Sequence, residues 1–204
     1  MAPGAHRIDP TSPPTQTTEN VVAAASWFRY SYLAHLSRPN SVRQLYRLVK
    51  RHRVCRIVDV GISDIRRAIA LVEVAQRYAR RQKVAYTGID WFDARPQARE
   101  PLSLKEAYRL LRPTGANVRL VPGEMGRSLA SAANAHQNTD LIVISHMVTD
   151  SELGSAWFYV PRMLHDRSIL LRERQDTEGK PAFTPLTRAQ VSAWAGGDSR
   201  RRVA

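Results

Sequence analysis

The spacing of hydrophobic and polar positions along this chain predicts alternating strands and helices. Short runs rich in β-branched residues predict strands, and apolar residues recurring every three or four positions predict amphipathic helices. The predicted strands are 56–60, 84–90, 117–123, 141–145 and 168–174, with room for a short sixth at 180–186. The predicted helices are 19–36, 42–53, 65–81, 103–111, 127–136, 152–166 (interrupted near Pro161) and 186–195, the last ending at Gly196 and Gly197.

This alternation predicts an α/β protein with a Rossmann-like, doubly wound, mostly parallel sheet of about five to six strands and helices on both faces. Residues 1–20 are rich in Pro and Thr and poor in apolar groups, which predicts a disordered N-terminal arm. Residues 21–195 are expected to form one domain, whose N-terminal helices occupy 21–53. Residues 196–204 are expected to be a flexible basic tail.

The formal net charge is +13, and many of its basic residues fall on the predicted helices 42–53 and 65–81. A charge of this size attracts polyanions. Two interpretations stay open: solvated helix faces, or a nucleic acid bound through the arginine-rich helices. No apolar run approaches the ~20 residues of a membrane span, so no membrane association is expected. A single cysteine and the lack of a secretory signal suit a cytoplasmic location.

The ligand crevice of such a sheet lies at the carboxyl ends of the strands, where the strand order reverses. Asp59 and Gly61 close the first strand, and a glycine there lets the backbone pass close to a ligand. Asp90 and Trp91 close the second; the carboxylate can accept both hydroxyls of a ribose and the indole can cover a purine. The competing interpretation is structural: Asp64 caps the next helix, Asp90 caps its own segment, and Trp91 fills the core.

The next two strand ends add further polar groups. Gly123 and Glu124 precede a helix, where the carboxylate can accept a hydrogen bond from an exocyclic amine or simply favour the helix N-terminus. Ser145 and His146 end the fourth strand, at the mouth of the crevice. A histidine there can act as a general base, although lone loop histidines are often bystanders. The sequence offers no metal-ligand cluster, so no metal is expected, and no phosphate-binding glycine motif, which disfavours dinucleotides and nucleoside triphosphates.

In their order and spacing, these loops resemble the class I S-adenosylmethionine-dependent methyltransferases, from about Val42 to Arg174. The resemblance implies S-adenosylmethionine as cofactor. It implies that Asp59 and Gly61 lie beside the methionine part, Asp90 at the ribose and Glu124 near the adenine. The segment from Asp140 through Ser145 to His146 is similar to the fourth strand of small-molecule O-methyltransferases. The set of cofactor-binding residues implied here is Asp59, Gly61, Asp90, Trp91, Gly123, Glu124 and Ser145, and the candidate base is His146.

The chain departs from this family in three places. The glycines expected after Gly61 are missing, and Ile62 stands where the cofactor's carboxypropyl group would lie. Ser145 replaces the aspartate of metal-dependent members. The residues after Arg174 suffice for one short strand and one helix, so the usual pair of closing strands is trimmed.

Two hypotheses of function follow. The first is an enzyme that transfers a methyl group from S-adenosylmethionine to an acceptor that the sequence does not identify. The second is a non-catalytic binding module that keeps the methyltransferase-like fold and binds nucleic acid through its arginines.

Overall fold

The computed structural model describes residues 30–33, 40–79 and 82–201, and beyond residue 195 the backbone alone. The predicted N-terminal arm and most of the predicted helix 19–36 lie outside the described residues; within that helix, residues 30–33 are helical. The helices are α1 Asn40–His52, α2 Ile65–Tyr78, α3 Leu104–Leu111, α4 Met125–Ala133, α5 Asp150–Leu153, α6 Val160–Met163 and α7 Arg188–Arg201. The strands are β1 Arg56–Val60, β2 Ala85–Asp90, β3 Asn117–Pro122, β4 Thr139–Ile144, β5 Leu164–Gln175 and β6 Pro181–Pro185.

The six strands form one sheet in the order β3-β2-β1-β4-β5-β6. The first five are parallel, and β6 pairs antiparallel with β5. The predicted α/β, Rossmann-like, doubly wound fold is therefore confirmed, including the short sixth strand. Because the chain leaves β1 toward β2 and β3 and later returns on its other side as β4, the strand order reverses between β1 and β4. The crevice expected at such a reversal lies beside the end of β1.

Both faces of the sheet are covered, and alternate residues of each strand point to opposite sides. Ile57 and Leu141 pack with α1, α2 and α3 in one hydrophobic core. Their neighbours Val58 and Ile142 pack with α4, α6 and α7 in the other. The continuous apolar runs of β1 and β4 follow from burial on both faces.

Polar side chains set the starts of two helices. Ser103 accepts a hydrogen bond from the backbone of Glu106 at the start of α3, at 3.1 Å. Asp64 accepts one from the N–H of Arg66 at the start of α2, at 2.8 Å. Each satisfies a backbone donor that has no partner inside its own helix.

Two predicted helix boundaries are wrong. The helix predicted over 152–166 is instead α5, a 3₁₀ segment Gly154–Phe158 and α6, and β5 already begins at Leu164. Gly154 takes a positive φ of 39°, which stops α5, and Pro161 fits only the first turn of α6. The predicted end at Gly196 is also wrong, since α7 continues to Arg201. Glycine lowers helix stability by only about 1 kcal/mol and does not forbid a helix.

Candidate functional site

Backbone hydrogen bonds join the loops that follow the first four strands. The Gly61 N–H donates to the carbonyl of Ile89 (2.8 Å), and the Gly123 N–H donates to that of Asp90 (3.0 Å). On the other side of β1, the Ser145 N–H donates to the carbonyl of Val60 (2.9 Å). The four loops selected from the sequence therefore meet at one edge of the sheet, as predicted.

Asp90 is the acid at the centre of this edge, and its carboxylate is fully engaged. The residue is 1% exposed. Oδ2 accepts from the Ile62 N–H (2.7 Å) and from Arg95 Nη2 (2.7 Å). Oδ1 accepts from the Phe92 N–H (3.1 Å) and from Arg95 Nε (2.8 Å). Four donors fill the four lone-pair positions of a carboxylate, so Asp90 has no acceptor capacity left for a ribose while Arg95 stays in place.

Arg95 and Arg99 tie the loop after β2 across the neighbouring loops. Besides the Asp90 bonds, Arg95 donates from Nη2 to the carbonyl of Ile62 (2.6 Å) and from Nη1 to that of Glu100 (2.7 Å). Arg99 donates to the carbonyl of Met147 (2.5 Å), in the loop after β4. Arg95 therefore links the loop after β2 to the loop after β1, and Arg99 links it to the loop after β4.

Gly61 is required by its backbone and by its neighbours. Its φ is +75°, a conformation that side chains rarely adopt, and an added Cβ would lie 2.5 Å from Cγ2 of Val148. The next residue, Ile62, is 1% exposed and belongs to the core on the α1–α3 face. Ile62 packs so closely on Gly88 that a Cβ there would lie 2.9 Å from its Cδ1. The space beside the end of β1 is filled by these two apolar side chains.

The other predicted cofactor residues are more open. Trp91 is half-buried and packs against the second core. Gly123 has a φ of +129°, which brings the chain into α4. The side chain of Glu124 is 49% exposed and makes no capping hydrogen bond; Arg127 lies 3.9 Å from it. Its carboxylate lies exposed at the carboxyl edge of the sheet and can accept a hydrogen bond from a ligand.

Asp59 is buried, 1% exposed, next to a second set of polar groups. Its Oδ2 accepts from the hydroxyl of Tyr86 (3.1 Å), and its Oδ1 has no hydrogen-bond partner among the described residues. Burial raises the pKa of Asp59 to about 7, against the opposing pull of the Arg67 guanidinium. The carboxyl group of Asp59 is therefore partly protonated near neutral pH.

Glu173, on β5, is paired with Arg67 of α2. Both are buried, the Arg67 guanidinium lies 5.4 Å from the ring centroid of Phe183, and Ser63 Oγ donates to Glu173 Oε2 at 2.9 Å. Burial alone would raise the pKa of Glu173, but the Arg67 charge and the hydrogen bonds from Arg67 and Ser63 outweigh it and lower that pKa. Glu173 is therefore a fixed negative charge inside the sheet.

His146 reaches this pair from the loop after β4. Its Nδ1 lies 3.5 Å from Glu173 Oε2, and its Nε2 lies 3.0 Å from Nε2 of Gln175. Nδ1 is buried and has no hydrogen-bond partner among the described residues, whereas Nε2 lies within hydrogen-bond distance of the Gln175 amide. The neighbouring Ser145 is buried, and its Oγ accepts from the Met147 N–H at 3.1 Å, so its hydroxyl serves the turn.

Three residues that shape this site were missed from the sequence. Arg67 lies on the buried face of α2, on the same side as Leu71. Glu173 lies on the buried face of β5, on the same side as Leu171. A charged residue at a position where the pattern predicts an apolar one is a signal for an internal ion pair. Arg95 lies in a loop without periodicity, and no pattern there indicates its partner.

Within the described part of the chain, no group of three or more His, Cys, Asp or Glu side chains is arranged to hold a metal ion. In the same residues, no helix has the length and apolar character needed to traverse a bilayer.

No family model and no curated protein matches this chain. Several solved methyltransferase structures are similar to it. An O-methyltransferase from Bacillus cereus in complex with SAH is 14% identical over 92% of this chain and 80% of that one, with a TM-score of 0.48. TomG, an O-methyltransferase from Streptomyces achromogenes in complex with SAM, is 11% identical over 92% and 79%, with a TM-score of 0.46. A methyltransferase from Geobacter sulfurreducens is 19% identical over 76% and 70%, with a TM-score of 0.42. Likenesses at these identities and TM-scores assign no ligand or activity to this chain.

Proposed function

We propose that this chain binds S-adenosylmethionine at the carboxyl edge of its sheet and transfers the methyl group to an acceptor. The observation that carries the proposal is the position of Asp90. It ends β2 beside Gly61 at the end of β1, and it accepts a hydrogen bond from the first backbone N–H after that glycine. This is where a doubly wound sheet binds its ligand, and a buried carboxylate there suits a pair of hydroxyl donors.

The cofactor fits this edge only when Arg95 withdraws and the side chains of Ile62 and Val148 move, because Arg95 helps to saturate Asp90 and those two side chains fill the space beside the end of β1. After that withdrawal, Asp90 would hold the ribose, Glu124 would face the exocyclic amine of the adenine, and Gly61 with Asp59 would border the methionine part. When bound, the cofactor supplies a sulfonium methyl that is open to attack. The reaction then asks the protein mainly to position the acceptor and take up one proton.

His146 is the proposed base. The Glu173 carboxylate lies on the Nδ1 side, and Nε2 would accept the proton once it releases the amide of Gln175, which lies near the start of the loop before β6. In this role Glu173 is a positioning residue. A cytoplasmic location remains part of the proposal, supported by the single cysteine of the chain.

A second candidate function has its own observation. The engaged carboxylate of Asp90 and the buried side chain of Ile62 are what a non-catalytic module would show if it kept the fold and filled the cofactor position. Such a module would bind neither S-adenosylmethionine nor S-adenosylhomocysteine. The two functions therefore differ in a measurement that needs no knowledge of the acceptor.

Calorimetric titration with both compounds tests the proposal. We expect the wild-type chain to bind, Arg95→Gln to bind more tightly, and the double variant Asp90→Asn with Arg95→Gln to bind at least ten-fold more weakly than Arg95→Gln alone. These two variants differ only in the carboxylate of Asp90, and neither contains a buried arginine that has lost its partner. Arg99→Gln is the matched control from the same loop and should bind like wild type. No heat and no thermal shift at millimolar ligand, in wild type and in Arg95→Gln alike, would establish the non-catalytic alternative.

A further inference from the structure

Basic side chains line the amino edge of the sheet, opposite the candidate cofactor site. They come from the segments that lead into β3, β2 and β1 and from the first residues of β1 and β5. All five are exposed, and none forms an ion pair with a described carboxylate: Arg112, Lys83, Arg53, Arg56 and Arg167. Parallel strands share their amino edge, so the sheet order β3-β2-β1-β4-β5 places these cations in a row. With neighbouring strands about 4.8 Å apart, the row spans about 19 Å.

Acidic residues are scarce along this edge. In the segments that enter the five parallel strands, the acids are Asp140 and Asp166. Asp140 is engaged: Oδ2 accepts from the N–H groups of Cys55 and Arg56 (2.8 Å each), and Oδ1 lies 3.0 Å from Nε2 of His165. Asp166 lies 3.2 Å from Arg188. The carboxyl edge, in contrast, carries exposed acids in several loops, among them Asp64, Asp93, Glu100, Glu124 and Asp150.

Arg53 occupies a position where glycine is favoured. The end of α1 is a Schellman motif: the Arg53 N–H donates to the carbonyl of Lys50 (3.3 Å) and the Val54 N–H to that of Val49 (3.2 Å). Arg53 therefore takes a left-handed φ of 51°. Side chains disfavour this conformation, so a glycine would suit the backbone here better than an arginine. The guanidinium of Arg53 is exposed and can contact a ligand.

A hollow of about 300 Å³ lies within the row. Arg53 and Arg167 line it, together with His52 and His165. Its acid, Asp140, is already bound by two backbone N–H groups. The hollow therefore presents the positive charges of Arg53 and Arg167 to whatever enters it.

We infer that this amino-edge strip, defined by Arg112, Lys83, Arg53, Arg56 and Arg167, binds the phosphate backbone of a nucleic acid. Of the 31 basic residues in the chain, 27 are arginine, whose planar fork matches a phosphate in a bidentate way. A length of about 19 Å corresponds to five or six nucleotides at the ~3.4 Å rise of one strand. The strip carries no exposed large apolar side chain of the kind that anchors proteins to lipid surfaces; the described ones are Tyr32, Tyr108, Phe158 and Trp194.

Fluorescence anisotropy with a labelled single-stranded RNA of mixed sequence, 20 nucleotides long, tests this inference across 50 to 200 mM salt. If all five cations contact phosphates, log affinity falls against log salt with a slope of about −3.5. The double variant Arg53→Gly with Arg167→Gln should lower the slope to about −2 and the affinity at 100 mM salt about ten-fold. The control Arg66→Gln with Arg127→Gln removes the same charge at the opposite, carboxyl edge of the sheet and should leave the slope unchanged.

The single variant Arg53→Gly separates binding from folding. Because glycine suits the left-handed position, we expect the melting temperature to rise by about 2 to 4 °C while RNA binding weakens. Equal losses in the strip variant and its control would mean that diffuse charge, and not this strip, binds the RNA. The inference also fails if wild type does not bind RNA at 50 mM salt, or if it binds only vesicles that contain phosphatidylserine.

Discussion

The ion pair between Asp90 and Arg95 controls access to the proposed cofactor site, and its strength can be measured. The two side chains are 2% and 6% exposed and lie 2.7 Å apart. Removing one member of a buried pair leaves an uncompensated charge and costs about 3 to 5 kcal/mol, whereas removing both leaves none. The double-mutant cycle of Asp90→Asn and Arg95→Gln should therefore give a coupling energy of about 3 kcal/mol.

Urea unfolding followed by tryptophan fluorescence measures the four free energies of the cycle. The control pair is Asp166 with Arg188, whose side chains are 98% and 56% exposed at 3.2 Å. For an exposed pair, the coupling should stay within about 1 kcal/mol. A coupling for Asp90 and Arg95 as small as that of the control would refute the reasoning, because the pair would then be open to solvent.

The same free energy sets the expected effect on binding. A ligand that must break a pair worth about 3 kcal/mol loses about a hundred-fold in apparent affinity. Arg95→Gln should therefore bind S-adenosylmethionine up to about a hundred times more tightly than wild type, as long as the variant remains folded at the assay temperature.

Three further substitutions test individual contacts. Asp59→Asn removes a carboxyl whose pKa is raised from 3.8 to about 7 in the fold. Because the pKa is higher in the folded than in the unfolded chain, the folded protein loses stability as Asp59 ionises with rising pH. From pH 5 to 8 the free energy of unfolding of the wild type, measured in urea, should fall by about 2 to 3 kcal/mol relative to that of the variant. Parallel pH profiles would contradict the assignment. Gly61→Ala combines a positive φ with a clash on Val148 and should lower the free energy of unfolding by about 2 to 4 kcal/mol. An unchanged free energy of unfolding would mean that the loop relaxes around the added methyl group. Ser103→Ala removes the cap of α3 and should cost about 1 kcal/mol by thermal unfolding; an unchanged midpoint would mean that the cap is dispensable.

Much of the fold could be predicted because β1 and β4 are buried on both faces and therefore stand out as apolar runs. The predicted strand 56–60 coincides with β1, and the predicted strands 84–90 and 117–123 each differ from β2 and β3 by one residue. The segment after β4 could not be predicted in the same way. There Leu153, Trp157 and Val160 keep a helical spacing that packs the second core, while the backbone is broken by Gly154 and Pro161.

The position of the candidate site could be predicted from the sequence, but the contacts of its side chains could not. Topology alone brings the ends of β1, β2 and β4 together, so Gly61, Asp90 and Ser145 could be selected from their places in the chain. What their side chains contact depends on loops without periodic patterns. The engagement of Asp90 by Arg95, and of His146 by Glu173 on another strand, follows from tertiary packing that spacing does not encode.

A crystal structure of the chain grown with millimolar S-adenosylhomocysteine tests the central claim most directly. The account predicts electron density for the ligand at the carboxyl ends of β1 and β2, with its ribose hydroxyls donating to Asp90 and Arg95 moved away from that carboxylate. A structure in which the ligand is absent, or bound elsewhere, while Arg95 still saturates Asp90 would contradict it.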